Sequence, residues 1–393
     1  MRGLHGVRAM NETIPIPIDM DALRREVEFI NHELLELLGR RARLVSEIQT
    51  IKTREGIPTF LPEREHQMLV ELVARNRGPF PDETIRRLFK EIFRASVELM
   101  ESQSCRTLKI SRASRAADLQ IRVRGAVIGG SEPMLIAGPC SVESEQQMEA
   151  VARFLSANGV RFMRGGAFKP RSSPYSFQGL GREGLLLLEQ AARRHNLVTV
   201  TEVMDTRTVE LVSEHADVLQ IGSRSMYNYD LLREVGRCRK PVLLKRGLSA
   251  TVDELLWSAE YIVSEGNVNV ILCERGIRTY ETQTRNTLDI SAVPLLRQKS
   301  FLPVIVDVSH AAGRKDILAP LGRAALAAGA SGLMVEAHPC PHLARSDSEQ
   351  QLDLQELAQF MAQCNLRPAR DSAALMFQTD RPADPTTVRA IGG

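Results

Sequence analysis

The sequence predicts an α/β protein, a (β/α)8 TIM barrel preceded by a separate three-helix domain. Three observations carry this reading. Residues 1–104 hold five of the 26 glycines, neither Tyr nor Trp, and a long heptad pattern of apolar side chains. Residues 125–332 hold nineteen glycines and alternate eight short apolar runs with segments of helical periodicity. The length, 393 residues, suits two to three domains. Hydrophobic residues at 43% and charged residues at 25% are ordinary globular values, which excludes disordered and fibrous classes. A net charge of +3 is too small to imply nucleic acid or a membrane surface as a partner. No apolar run reaches the ~18 residues of a membrane span, and the first ten residues lack a signal-peptide core. Six scattered cysteines without a CxxC pair fit a reducing compartment, so a cytoplasmic location is expected.

The first domain, 20–103, reads as helices. Leu23, Val27, Ile30, Leu34, Leu37, Leu44, Ile48 and Ile51 follow a 4,3 spacing, with Arg41 breaking the series. This is a heptad seam running from about Asp21, the expected N-cap, to Glu55, where Gly56 and Pro58 stop it. A helix of ~35 residues is ~50 Å long, too long for its own domain to cover, so a partner chain is expected along it. Pro62 starts a second helix to about Asn76, and Asp82 caps a third to about Ser102. Residues 104–117, basic and serine-rich, read as a linker, and 367–393 as a loose C-terminal tail.

The barrel, 118–366, is read from the runs MLIAGPCS, VRFMRGGAF, LVTVTEVMD, DVLQIGS, PVLLKRG, VNVILCERG, LPVIVDVSH and GLMVEAHP. Helices are expected from near Ser144, Arg182, Thr206, Tyr229, Thr251, Arg285, Gly313 and Asp347. Eight strand–helix units over ~240 residues match a TIM barrel. A doubly wound sheet is disfavoured by the strand count and by the lack of a GxGxxG after the first strand. A hairpin in LQIRVRGAVIGG is expected to plug the barrel floor.

Activity in such a barrel sits where strands end. Cys140 ends the first strand, His310 the seventh and Glu336 the eighth, with Asp347 in the loop after it. Strand eight closes on strand one, so a thiolate, an imidazole and two carboxylates converge as a mixed site for a divalent transition metal. His338 and Cys340 lie near but past the strand end. A second group is cationic: Arg164, Lys169, Arg224, Lys245 and Arg275. Five cations aimed into one mouth repel one another unless an anion is bound there. Arg171, Ser172 and Ser173 offer donors for a second phosphate.

The runs AGPCSVES, RGGAFKPRSSPYSFQGLG, TEVMD, QIGSRSMYN, LLKRG, ERGIRTYETQTRNTLD, DVSHAAGR and LMVEAHPCP closely resemble 3-deoxy-D-arabino-heptulosonate 7-phosphate (DAHP) synthase of the short microbial type, over about 118–365. The resemblance implies condensation of phosphoenolpyruvate with D-erythrose 4-phosphate, the first step of the shikimate pathway. It implies one divalent metal, Mn²⁺ first and Fe²⁺, Co²⁺ or Zn²⁺ otherwise, on Cys140, His310, Glu336 and Asp347. It assigns phosphoenolpyruvate to Arg164, Lys169, Arg224, Lys245 and Arg275, and the sugar phosphate to Arg171, Ser172 and Ser173. Ser172, Tyr227, Val308 and Ser348 depart from the usual residues without removing a ligand or donor. Lys245 and Glu202 are the candidates for moving protons of the added water, Glu202 otherwise serving to hold Lys245. The related 3-deoxy-octulosonate 8-phosphate synthases share the barrel, but the KPRSS run points away from them.

The helical domain resembles the small all-helical chorismate mutases, over about 20–103. The matching site residues are Arg24, Arg41, Lys52, Arg64, Glu65 and Ser96, with Met100 where the family places a Gln and Leu61 for a usual Asp. Arg41 and Lys52 share a helix face, while Arg24 lies ~100° away and suits a partner's site in an intertwined dimer. The expected partners are therefore chorismate or prephenate and a second copy, within a homo-oligomer, a tetramer being the expected assembly. Weak mutase activity or feedback regulation is the expected role, with a fully active bifunctional enzyme as the alternative.

Overall fold

The computed structural model describes residues 19–55, 57, 61–106, 108–171, 173 and 175–366, in two compact units divided between Thr107 and Leu108. Ser172 and the expected tail 367–393 lie outside the described residues.

In the first unit α1 (Met20–Glu55) is a single 36-residue helix. Its cap is Asp19 rather than Asp21, because Asp19 Oδ1 accepts the Asp21 N–H at 3.0 Å. Pro62 opens α2 (Pro62–Ala74), and α3 (Asp82–Arg106) continues one turn past the expected end. Leu69 of α2 and Phe93, Ser96 and Met100 of α3 are buried. The eight apolar seam residues of α1 remain 46–60% exposed, so neither α2 nor α3 covers them. That is the outcome expected for a seam longer than its own domain.

The second unit opens differently from a linker. Ile110 is buried, the N–H groups of Lys109 and Ile110 are accepted by the Glu260 carboxylate, and Arg112 N–H reaches Lys299 O. Residues 108–112 are thus fastened to the barrel. The antiparallel pair β1 (Ile121–Val123) and β2 (Ala126–Ile128) turns at Arg124 and Gly125, both at positive φ, as a two-residue hairpin requires. Ile121 and Ile128 are buried, and Leu119 N–H bonds Phe301 O just before the seventh barrel strand. The hairpin therefore closes the strand N-terminal end.

The barrel itself alternates β3 (Met134–Gly138), α4 (Glu145–Ala157), β4 (Phe162–Arg164), α5 (Arg182–Arg194), β5 (Val198–Glu202), α6 (Val209–His215), β6 (Val218–Ile221), α7 (Tyr229–Arg237), β7 (Val242–Lys245), α8 (Val252–Ser264), β8 (Val270–Glu274), α9 (Ala292–Lys299), β9 (Val304–Asp307), α10 (Val308–Ala312), α11 (Leu318–Ala327), β10 (Gly332–Glu336) and α12 (Leu354–Gln363). All eight strands β3–β10 are parallel, and β10 closes on β3 in register from Gly332–Met134 to Glu336–Gly138. Nearly every strand residue is buried, as a filled barrel requires.

Three helix starts differ from expectation. The helices expected at Arg285, Gly313 and Asp347 begin at Ala292, Leu318 and Leu354. In each case the intervening residues form a loop at the barrel mouth whose side chains bond across loops instead of along a helix. Gly313 sits at φ +68 and ends α10 as a left-handed cap.

Candidate active site

Every first-named candidate at the strand ends reaches one mouth. Gly138 ends β3 at φ +145, where an added Cβ would lie 2.2 Å from Arg164 O, so only glycine lets β3 and β4 approach. Two residues on, Cys140 is fully buried. Its Sγ lies 3.2 Å from Asp347 Oδ2 and 3.0 Å from Lys169 Nζ. Burial, then the charge of Glu336, pushes the Cys140 thiol up to about 12 against the pull of Lys169.

Glu336 is the last residue of β10 and is wholly buried. Its Oε1 accepts Arg164 Nη1 at 2.8 Å and lies 3.4 Å from His310 Nε2. Burial opposes its charge, yet His310, Arg164 and Lys169 pull the carboxyl down to about 2. Cys140, Glu336 and Asp347 offer ligand atoms all within 4.8 Å of one another. His310 joins them through its contact with Glu336. Asp347 stands in the loop after β10 at φ +48, with Arg285 Nη1 at 3.4 Å from its Oδ1.

His310 does not end a strand but sits in α10, which Asp307 caps: Oδ1 accepts the His310 N–H at 3.0 Å. Asp307 Oδ2 meets His310 Nδ1 at 2.7 Å. Burial opposes the Asp307 charge, but His310 and Lys245 hold its carboxyl well below the usual range. The Asp307 carboxylate only accepts, so Nδ1 carries a hydrogen, and Nε2 is the ring nitrogen turned toward Glu336. The set fits a divalent metal: two carboxylates, one imidazole oriented by Asp307 through Nδ1, and a thiol beside Lys169.

Beside this quartet lies a cleft of about 520 Å³, lined by Arg164, Lys169, Arg171, Ser173, Arg224, Lys245 and Arg275. Arg164 Nε is buried without a hydrogen-bond partner. Arg224 stands at the rim and donates from Nη1 to Pro170 O, while Arg171 Nε donates to Phe177 O. Lys245 is buried against Asp307, not held by Glu202. Glu202 also lines the cleft and accepts instead from Gln220 Nε2 at 3.1 Å. Sequence reasoning missed Asp307, Arg278 and Arg285, the last two also lining the cleft. The signal was present: all three lie inside the quoted DVSHAAGR and ERGIRTYETQTRNTLD runs. His338 is buried and faces Glu143 at 3.8 Å, away from the quartet, and Cys340 is exposed.

In the helical unit Arg41 Nη1 donates to Ser96 Oγ, and its guanidinium lies 5.2 Å over the Phe93 ring. Met100, one turn beyond Ser96 on α3, is buried. Lys52 and Glu65 are half-buried and Arg64 is exposed. Arg24 is exposed and bonds Asp21 at 3.2 Å. Seventeen helical residues set it ~25 Å along α1 from Arg41, too far to share a small ligand within one chain.

The sequence profile of the DAHP synthetase I family matches residues 109–367, and that of chorismate mutase type II matches residues 23–101. A phospho-2-dehydro-3-deoxyheptonate aldolase of Thermotoga maritima is 51% identical over 255 residues, covering 64% of this chain and 75% of the relative. A 2-dehydro-3-deoxyphosphooctonate aldolase of Koribacter versatilis is 32% identical over 257 residues, covering 60% and 91%. The crystal structure of a Thermotoga maritima DAHP synthase superposes with a TM-score of 0.64 at 49% identity, over 65% of this chain and 75% of that one. A truncated form of DAHP synthase from the same organism gives 0.62 at 45%, over 65% and 94%. With the closed eight-stranded barrel, these matches are decisive: the chain belongs to the DAHP synthetase I family and carries a chorismate mutase type II domain ahead of its barrel.

Proposed function

We propose that the barrel condenses phosphoenolpyruvate with D-erythrose 4-phosphate at a divalent metal held by Cys140, His310, Glu336 and Asp347. The single observation that carries this is the contact of the quartet with a cation-lined cleft through Lys169, whose Nζ lies 2.8 Å from Cys140 O as well as beside Sγ. A bound divalent ion, Mn²⁺ in the first instance, supplies Lewis acidity to the aldehyde oxygen. Arg164, Lys169, Arg224, Lys245 and Arg275 bind and orient phosphoenolpyruvate, and Arg171, Ser172 and Ser173 take the sugar phosphate. The enol carbon attacks the aldehyde carbon, whose oxygen becomes a hydroxyl by taking up a proton. Water adds to the cationic carbon left behind, and the C–O bond to phosphate breaks as the added oxygen becomes the ketone and its second proton leaves with the phosphate. Glu202, turned into the cleft, takes the proton of that water. Lys245, fixed by Asp307, keeps its ammonium aimed at the departing phosphate.

The helical domain binds chorismate or prephenate on Arg41, Lys52, Arg64, Glu65 and Ser96, with Arg24 supplied by a second copy. The half-exposed α1 seam supports such a dimer, since apolar stripes of that length are otherwise buried. Ligand there feeds back on the barrel within a tetramer.

The test is the condensation assay on the full chain. A chelator is expected to abolish it and Mn²⁺ to restore it. Cys140→Ser is expected to lower bound metal and activity together. Full activity of Cys140→Ser at sub-stoichiometric metal overturns the ligand assignment.

A further inference from the structure

We infer that the adjacent pair Gln350 and Gln351 positions the metal ligands, each glutamine serving different ones; this rests on the reading of Cys140, His310, Glu336 and Asp347 as those ligands. Neither residue touches the cleft, and both are buried, at 3% and 0% exposure. They stand where the chain leaves the Asp347 loop and enters the Leu352 bridge to Ala337, and their side chains serve different partners. Gln351 Oε1 accepts the backbone N–H of Cys140 at 2.9 Å, and its Nε2 donates to Ser346 O at 2.8 Å. One amide therefore joins the backbone of the thiol ligand to the backbone just before Asp347. The donor and acceptor fix its orientation, because an N–H can bond only the oxygen and a carbonyl only the nitrogen.

Gln350 serves the other side. Its Nε2 donates to Glu336 Oε2, and its Oε1 accepts Arg285 Nη1 at 2.9 Å. Its backbone N–H closes a turn on Asp347 O. Three of the four ligands thus reach the metal position through two neighbouring amides. Cys140 and Asp347 come from loops at opposite ends of the barrel sequence, and nothing covalent nearer than the whole chain sets their spacing. Buried amides with both ends satisfied hold such spacing rigidly. Each is a positioning residue, acting through the ligands it bonds.

The experiment titrates the full-length apoprotein with Co²⁺, reading the thiolate-to-cobalt charge-transfer absorption, and with Mn²⁺ by calorimetry. Gln351→Met keeps volume and removes both hydrogen bonds. It is expected to raise the metal Kd about 10–100-fold and to weaken or shift the thiolate band. Gln350→Met is expected to raise Kd similarly but to retain the band at saturation, because it frees Glu336 and not Cys140. A merely structural role would change thermal stability and leave the band alone. Wild-type Kd and wild-type bands in both variants overturn the inference. If Gln351→Met does not fold, an unchanged Kd in Gln350→Met overturns it alone. Cys140→Ser separates the two failures: a thiolate band surviving there refutes the ligand reading itself.

Discussion

Replacing Asp307 by Asn strands a buried cation, and the consequence can be worked out from its surroundings. Asp307 is fully buried and its carboxylate bonds Lys245, whose side chain is 5% exposed, and His310 at 15%. Breaking a buried ion pair from one side typically costs ~3–5 kcal/mol, because the remaining charge keeps its desolvation penalty without a partner. At ~2–4 °C per kcal/mol for a domain of this size, the barrel should lose roughly 6–20 °C. The assay is fluorescence-monitored unfolding: Trp257 on α8 is the only tryptophan, so its emission reports the barrel and not the helical domain. Lys245→Met in the Asp307→Asn background removes the stranded charge. The double variant should therefore be more stable than Asp307→Asn alone, with a coupling energy toward the ~3 kcal/mol end of measured pairs. The two effects adding within ~0.5 kcal/mol would refute the argument, since Lys245 and Asp307 would then be energetically independent.

Three further outcomes are expected. Lys245→Ala should lower turnover and weaken phosphoenolpyruvate binding, each charge-assisted contact contributing ~1.5–3 kcal/mol, whereas Arg171→Ala should act on the Michaelis constant for erythrose 4-phosphate; swapped effects mean that the two anion positions are reversed. Gly222→Ala places a methyl 2.2 Å from Glu202 Oε1, so the flexible carboxyl must move; a drop in kcat with an unchanged melting temperature is expected, and unchanged kcat removes Glu202 from the reaction. In the helical domain Met100 has no donor for a developing negative charge near Ser96, so Met100→Gln should raise mutase turnover toward the ~10²–10³-fold that one such donor supplies, as read by chorismate disappearance. A wild-type rate that the substitution leaves unchanged would show that Met100 does not face the substrate.

How far the sequence carries the site follows from what each signal depends on. Strand existence rests on local apolar runs bounded by glycine, and all eight barrel strands lie within the runs read from the sequence. Which side chains converge at strand ends follows from topology, so the grouping of Cys140, Glu336 and Asp347, with His310 against Glu336, was legible once the barrel was. Helix starts after β8 and β10 were not, because their loops bond across the mouth: Asn286 Nδ2 to His310 O, Arg285 to Gln350, Gln350 to Glu336; after β9 the short α10 and its left-handed Gly313 cap come before the longer α11. Polar residues of that kind look helical in isolation, and only the neighbouring loop reveals their use. The pairing of Lys245 failed for a related reason. Side chains filling a TIM barrel meet in layers drawn from alternate strands, so β7 can pair inward with either β5 or β9. Glu202 on β5 and Asp307 on β9 both offered a carboxylate, and sequence alone gives no rank between them. In the fold, Asp307 also caps α10, which pins its carboxylate inside the barrel beside Lys245, while Gln220 on the adjoining strand takes Glu202. Arg164 on β4 and Glu336 on β10, likewise two strands apart across β3, obey the same rule. The Lys245–Asp307 and Arg164–Glu336 pairs therefore follow strand parity, and for Lys245 helix capping chooses between the two neighbours that parity allows.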